Sequence, residues 1–251
     1  YGNMATCYKN LGAFEKAIEY NKKGYTIAIE VGNKRSMAIF HGSLGVLYSL
    51  TGKPDESIIE LKKAKDICFD IKNRMGAYVY LGNIGTIQAQ QKKYARAELN
   101  LKKVVQVSEE LQHKRNLAIY KIWYGYCLLM LGKDPKEKTI QEAIDLSFTI
   151  HKGLWSFGSS LLAEYRAEQG AWEEVEELIE RGYDALVEYN ERSIYLCRRA
   201  LIYAQKEGHP KTKKAFQDCI SFMEGASIYP NTEIHSLWTQ VQKVYSEPVH
   251  S

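Results

Sequence analysis

Residues capable of chemistry are present in this chain, but they are scattered. Six histidines, His41, His113, His151, His209, His235 and His250, stand singly, and none forms an HExxH or HxH pair. A metal ion needs ligands that converge on one point, so this spacing predicts no metal site. The five cysteines, Cys7, Cys68, Cys127, Cys197 and Cys219, contain no CxxC pair and are odd in number. Each falls inside an apolar helical pattern, which predicts small core residues in a reduced chain. Nothing in the sequence around Cys127 would lower its thiol pKa, so a nucleophile is not expected there. Phosphate cradling lacks its GxxxxGK[ST] loop, and acyl transfer lacks its GxSxG elbow. The acidic run Glu173-Glu174-Val175-Glu176-Glu177 reads as the opening of a helix, where carboxylates complement the dipole; paired carboxylates for acid–base work are the other reading. The expectation is a protein that is not an enzyme and holds no cofactor and no metal.

The glycines show what the chain is built from. Ala5, Gly45, Gly85 and Gly125 are spaced by forty residues, as are Gly12 and Gly52, Tyr8 and Tyr48, and Ala17, Ser57 and Ala97. Gly52, Lys92 and Gly132 repeat the step, after which Gly132, Gly170 and Gly208 shorten it to 38. A fixed period of this length marks a repeat architecture. Each period reads as two helices. Leu44-Gly45-Val46-Leu47-Tyr48 carries a small residue where a neighbouring helix must come close. Leu50-Thr51-Gly52-Lys53-Pro54 supplies a left-handed helix end and a proline to open the next helix. Ser57-Ile58-Ile59-Glu60-Leu61-Lys62-Lys63-Ala64 is apolar at three- and four-residue intervals.

These residues resemble the tetratricopeptide repeat (TPR) family, most closely over residues 1–112. Leu44, Gly45, Tyr48 and Gly52 in the second period, and Ile84, Gly85, Tyr94 and Ala97 in the third, match its pattern. Gly2-Asn3-Met4 and Gly82-Asn83-Ile84 are similar to the long, roughly forty-residue subclass found in spindle-orientation adaptors, quorum-response regulators and sensor regions of signalling ATPases. The resemblance weakens after Gly132, where Asp134 and Pro210 replace an aromatic and Glu137 and Lys213 replace Ala. It implies an all-α, right-handed superhelix of six helix-turn-helix repeats, about 1–33, 34–73, 74–113, 114–152, 153–190 and 191–227. A capping helix and tail would occupy 228–251, the helix running from Asn231 to Ser246 after a break at Tyr229-Pro230-Asn231, with Leu237, Val241 and Val244 as its apolar face.

In this family the first helix of each repeat lines a concave wall that binds polypeptide. Carried onto this sequence, the wall offers Ile39, Gly42, Ser43 and Val46, then Val79, Gly82, Asn83 and Thr86. The expected partner-binding residues are Asn3 and Asn83 for a backbone, Ile122, Trp123, Tyr126 and Phe157 as apolar anchors, and Arg198 with Arg199 for an acidic group. Trp123 and Tyr126 carry an alternative expectation, packing between adjacent units. The lysines, asparagines and arginine with which related domains clamp the acidic tails of chaperones are replaced here by Gly2, Thr6, Ser43, Val79 and Asn83, so such tails are not expected.

The expected function is protein–protein interaction: a scaffold or sensor binding a peptide or protein segment in its groove, inside a longer cytoplasmic signalling protein. The opening at Tyr1, already within a helical pattern, carries that last expectation. The alternative is a regulatory region that docks on an attached caspase-like peptidase, nucleotide cyclase or STAND-type ATPase. Nucleic-acid binding is a minor alternative. The net charge is +4, and the pairs Lys22-Lys23, Lys62-Lys63, Lys102-Lys103, Arg198-Arg199 and Lys213-Lys214 sit apart from one another, not in one stripe. No run of 18 apolar residues is present, so no membrane span is expected.

Overall fold

A computed structural model describes residues 1–134, 137–150, 152–180, 189–206, 208–224, 228 and 232–246. Among these, thirteen helices and no strands occur, as the resemblance implied. The chain forms two compact units, Tyr1–Ala143 and Ile144–Ser251.

The first unit contains α1 (Gly2–Asn10), α2 (Phe14–Glu30), α3 (Lys34–Leu50), α4 (Pro54–Asp70), α5 (Arg74–Gln90), α6 (Tyr94–Glu110), α7 (Lys114–Met130) and the start of α8 (Lys138–Ile150). From α2 to α7 every helix has 17 residues. Each stops for a reason of local geometry. A left-handed residue follows α1 to α7 at positions 12, 32, 52, 72, 92, 112 and 132. Four of these are glycine, which accepts that conformation without a Cβ penalty; Lys72, Lys92 and Gln112 adopt it at φ 57°, 60° and 52°. The next helix then starts on a capping side chain: Asn33, Asn73 and His113 accept from the amides of Ser36, Gly76 and Asn116. Pro54 opens α4 with its fixed φ and missing N–H.

Consecutive helices pack closely because small residues let them. A Cβ placed on Gly45 would lie 2.6 Å from Leu61 Cγ, on Gly85 2.8 Å from Leu101 Cγ, and on Gly125 2.7 Å from the backbone nitrogen of Ile140. These three positions are the close approaches read from the sequence. Leu61 and Leu101 are completely buried against them, each contributing roughly 1.5–3 kcal/mol of burial. A second forty-residue series joins one hairpin to the next. The rings of Tyr80 and Tyr120 lie across Gly42 and Gly82, at 2.2 and 2.4 Å from where a Cβ would be, and Phe40 does the same over Gly24. Tyr120 also directs its hydroxyl to Val79 O and Asn83 Oδ1, both 2.9 Å away.

The second unit takes up the rest of α8 with α9 (Lys152–Glu168), α10 (Val175–Glu180), α11 (Tyr189–Ala204), α12 (Thr212–Met223) and α13 (Glu233–Ser246). Its core gathers Val175, Ile179, Leu196, Ile202, Phe216 and Val241. Helix α13 packs on α11 and buries Leu237 and Val241. Val244, expected on that apolar face, is 38% exposed. The break expected at Tyr229-Pro230-Asn231 lies outside the described residues.

Candidate functional site

On the first unit, α1, α2, α3 and α5 surround an open cavity of about 260 Å³. Its lining comes from Ala5, Thr6 and Lys9 on α1, Asn21 on α2, Ile39, Gly42, Ser43, Val46 and Leu47 on α3, and Tyr80 and Asn83 on α5. All four α3 residues projected onto the inner wall from the repeat register, Ile39, Gly42, Ser43 and Val46, are present, and so is Asn83. Helical periodicity accounts for this: positions 39, 42, 43 and 46 share one stripe of α3.

The cavity combines an apolar shelf with polar groups that the fold leaves unmatched. Ile39 is 51% exposed, a large aliphatic side chain held in the open. Asn83 already accepts from Tyr120, which fixes its oxygen and leaves the amide nitrogen as the free end. Thr6 is spent on the carbonyl of Gly2. Burial pushes the Tyr80 phenol up to about 12, so it is a neutral hydrogen-bonding group at ordinary pH. Asn21 is the unusual member: it is 1% exposed and its Oδ1 has no hydrogen-bond partner. A buried amide left unmatched costs about 1–3 kcal/mol.

Lys9, Asn21 and Tyr80 were not foreseen, although a signal for Asn21 exists in the sequence. Ala17, Asn21, Gly24 and Ala28 form the buried stripe of α2, and Asn21 is its one strongly polar member. One and two periods later the same position is Leu61 and Leu101. Lys9 and Tyr80 gave no such sign, since a terminal-turn lysine and a helical tyrosine each fit many environments.

The other expected partner-binding residues are placed differently. Asn3 is exposed on α1 and is not part of the cavity lining. Ile122 is completely buried and Trp123 is 7% exposed, so neither is an open anchor. Their stripe of α7 is turned into the packing between helices, the alternative the sequence allowed for Trp123. Tyr126 is half-buried, edge-on to Trp123 and to Tyr94 at 6.2 and 6.1 Å between ring centres. Phe157 is half-buried on α9 of the second unit.

Arg198 and Arg199 require a correction as well, because both are buried and engaged. Arg198 pairs with Glu164, and Arg199 donates to Asp218 Oδ2 at 2.6 Å. The carboxylate that each was expected to take from a partner is supplied by the chain itself. A buried charge must be paired to be tolerated, and these pairs tie α11 to α9 and α12.

Among the described residues no three His, Cys, Asp or Glu side chains come together to hold a metal ion. Burial, then the nearby Glu98 carboxylate, push the Cys127 thiol up to about 12, the reverse of what a nucleophile needs. Among the described residues no helix is long and apolar enough to cross a membrane. In comparisons with known proteins, a family model described as tetratricopeptide repeat matches residues 1–28, which cover α1 and most of α2. No curated protein matches the chain.

Proposed function

We propose that this chain is a protein-interaction module whose first unit receives a segment of another polypeptide in the cavity between α1, α2, α3 and α5. The observation that carries this reading is the cavity wall itself. Exposed Ile39 supplies apolar area, and the Asn21 and Asn83 amides offer hydrogen-bonding capacity that the fold does not use. Such a mixture suits an extended or helical peptide, which presents side chains and backbone groups together. The helical hairpins support the reading, since tetratricopeptide-type arrays serve in general as interaction scaffolds and the matching segment builds one side of the cavity. The module is best read as a non-catalytic scaffold or sensor of cytoplasmic signalling.

Selection of displayed random twelve-residue peptides on the intact chain tests the proposal. Recovered peptides should lose about tenfold or more in affinity when Ile39 becomes Lys, because a charge replaces the apolar shelf. Substitution at this half-exposed position leaves the helical core in place. Recovery of no peptide, or of peptides indifferent to Ile39→Lys, would remove the cavity as the interaction site.

A further inference from the structure

We propose that this cavity selects a peptide carrying an acidic side chain beside an apolar one, with the carboxylate held by Lys9 and the apolar neighbour on Ile39 and Val46. The inference rests on the peptide-binding reading above and adds the chemistry of what is bound.

Charge supplies the first argument. Lys9 is the one charged residue in the lining, and no carboxylate lines the cavity. The Lys9 side chain has no ion-pair or hydrogen-bond partner among the described residues, whereas Lys23, Lys63, Lys121, Lys133 and Lys211 have acidic ones. A residue whose ammonium group has three donors and no acceptor thus lines a space that offers it no anion.

Hydrogen-bond capacity supplies the second. The Ser43 and Tyr80 hydroxyls have no hydrogen-bond partner among the described residues, and Asn83 presents its amide nitrogen because Tyr120 holds its oxygen. The Lys9 ammonium and the Asn83 amide nitrogen can only donate, while the two hydroxyls can donate as well as accept. A carboxylate, which accepts up to four hydrogen bonds and donates none, is the complement of such a wall. Asn21 belongs to the same wall, and its buried Oδ1 is left unmatched by the fold.

The repeat supplies the third argument. Sister hairpins fill the Asn21 position with Leu61 and Leu101, both wholly buried, so an apolar residue is compatible with this place in the fold. The first hairpin keeps an amide where the next two carry leucine, on the wall that also carries Lys9, at a cost in stability.

The test uses the peptides recovered in the display experiment, resynthesised with acetylated N-termini and amidated C-termini, and titrated against the full chain by fluorescence anisotropy. Asp or Glu should be enriched at one position next to an aliphatic residue. Changing that acid to Asn or Gln should weaken binding about tenfold, and so should Lys9→Met; the two changes together should cost little more than either alone. Asn21→Leu should weaken binding while thermal melting stays at or above that of the parent chain. Should Asn21→Leu fail to fold, the outcome is decided by Lys9→Met, a substitution on the open face of α1.

Peptides that bind and are sensitive to Ile39→Lys, yet show no acidic preference or no response to Lys9→Met, would overturn this inference and leave the interaction function standing. Affinity that depends on a free C-terminal carboxylate and is lost on amidation would also overturn it, assigning Lys9 to a chain end. Failure to recover any peptide would remove both readings.

Discussion

Replacing Gly125 by Ala would add one methyl group where α7 meets α8. That methyl carbon would lie 2.7 Å from the Ile140 backbone nitrogen and 2.8 Å from its Cα and Cβ. Comfortable carbon contacts are about 3.5–4.0 Å, so the start of α8 must move by roughly 1 Å. The comparable position Gly85 faces Leu101 Cγ at 2.8 Å, and its nearest backbone atom, Ala97 O, is 3.6 Å away. A side chain can turn aside, but a helix backbone cannot move without disturbing its own hydrogen bonds. Overpacking of this kind costs about 1–3 kcal/mol, and the backbone obstacle places Gly125→Ala at the upper end. Alanine returns about 1 kcal/mol through its better helix propensity. The expected net loss is about 2 kcal/mol, against about 1 kcal/mol or less for Gly85→Ala. Urea unfolding followed by far-ultraviolet circular dichroism reads this directly. With a slope of about 2 kcal/mol per molar, the midpoint should fall by about 1 M. Hydrogen exchange should locate the loss in α7 and α8, since hairpins in a stack depend chiefly on their neighbours. A Gly125→Ala chain as stable as its parent, or one less affected than Gly85→Ala, would refute this account of the helix contact.

Two further outcomes follow from local geometry. Lys92 ends α5 in the left-handed conformation that glycine occupies at Gly52 and Gly132, so Lys92→Gly should stabilise the first unit by roughly 1 kcal/mol; an unchanged or lower midpoint would contradict this. Desolvation acts upward on the Glu60 carboxyl, but hydrogen bonds from Lys63 and His41 outweigh it and hold the group below the usual carboxylate range. A depressed folded-state pKa gives stability that is present above the ordinary carboxylate range and is lost as pH falls through the lowered value. The stability gap between the parent and Glu60→Gln should accordingly be widest near neutrality and close in acid. A gap that stays constant from pH 6 to pH 3 would count against the pairing.

Much of the first unit was legible because its devices are local and recur. Glycine at positions 12, 52 and 132 and proline at 54 each answer to a requirement within one or two turns of chain, and the small residues at 45, 85 and 125 answer to the helix that follows next. The stripe Ile39, Gly42, Ser43 and Val46 was equally readable, since it depends only on which face α3 presents. The same logic misplaced Ile122 and Trp123, for periodicity shows that residues share a face and is silent on what covers it. It also misassigned Arg198 and Arg199, whose partners Glu164 and Asp218 lie 34 and 19 residues away in sequence.

By itself, then, the sequence determined the helices, their ends and their forty-residue pairing, because backbone conformation and side-chain period are set by near neighbours. Tertiary structure alone decided which of the polar and aromatic residues remain open. Burial and ion pairing depend on the distance between groups far apart in the chain, and only packing brings Lys9, Asn21, Tyr80 and Asn83 around one cavity.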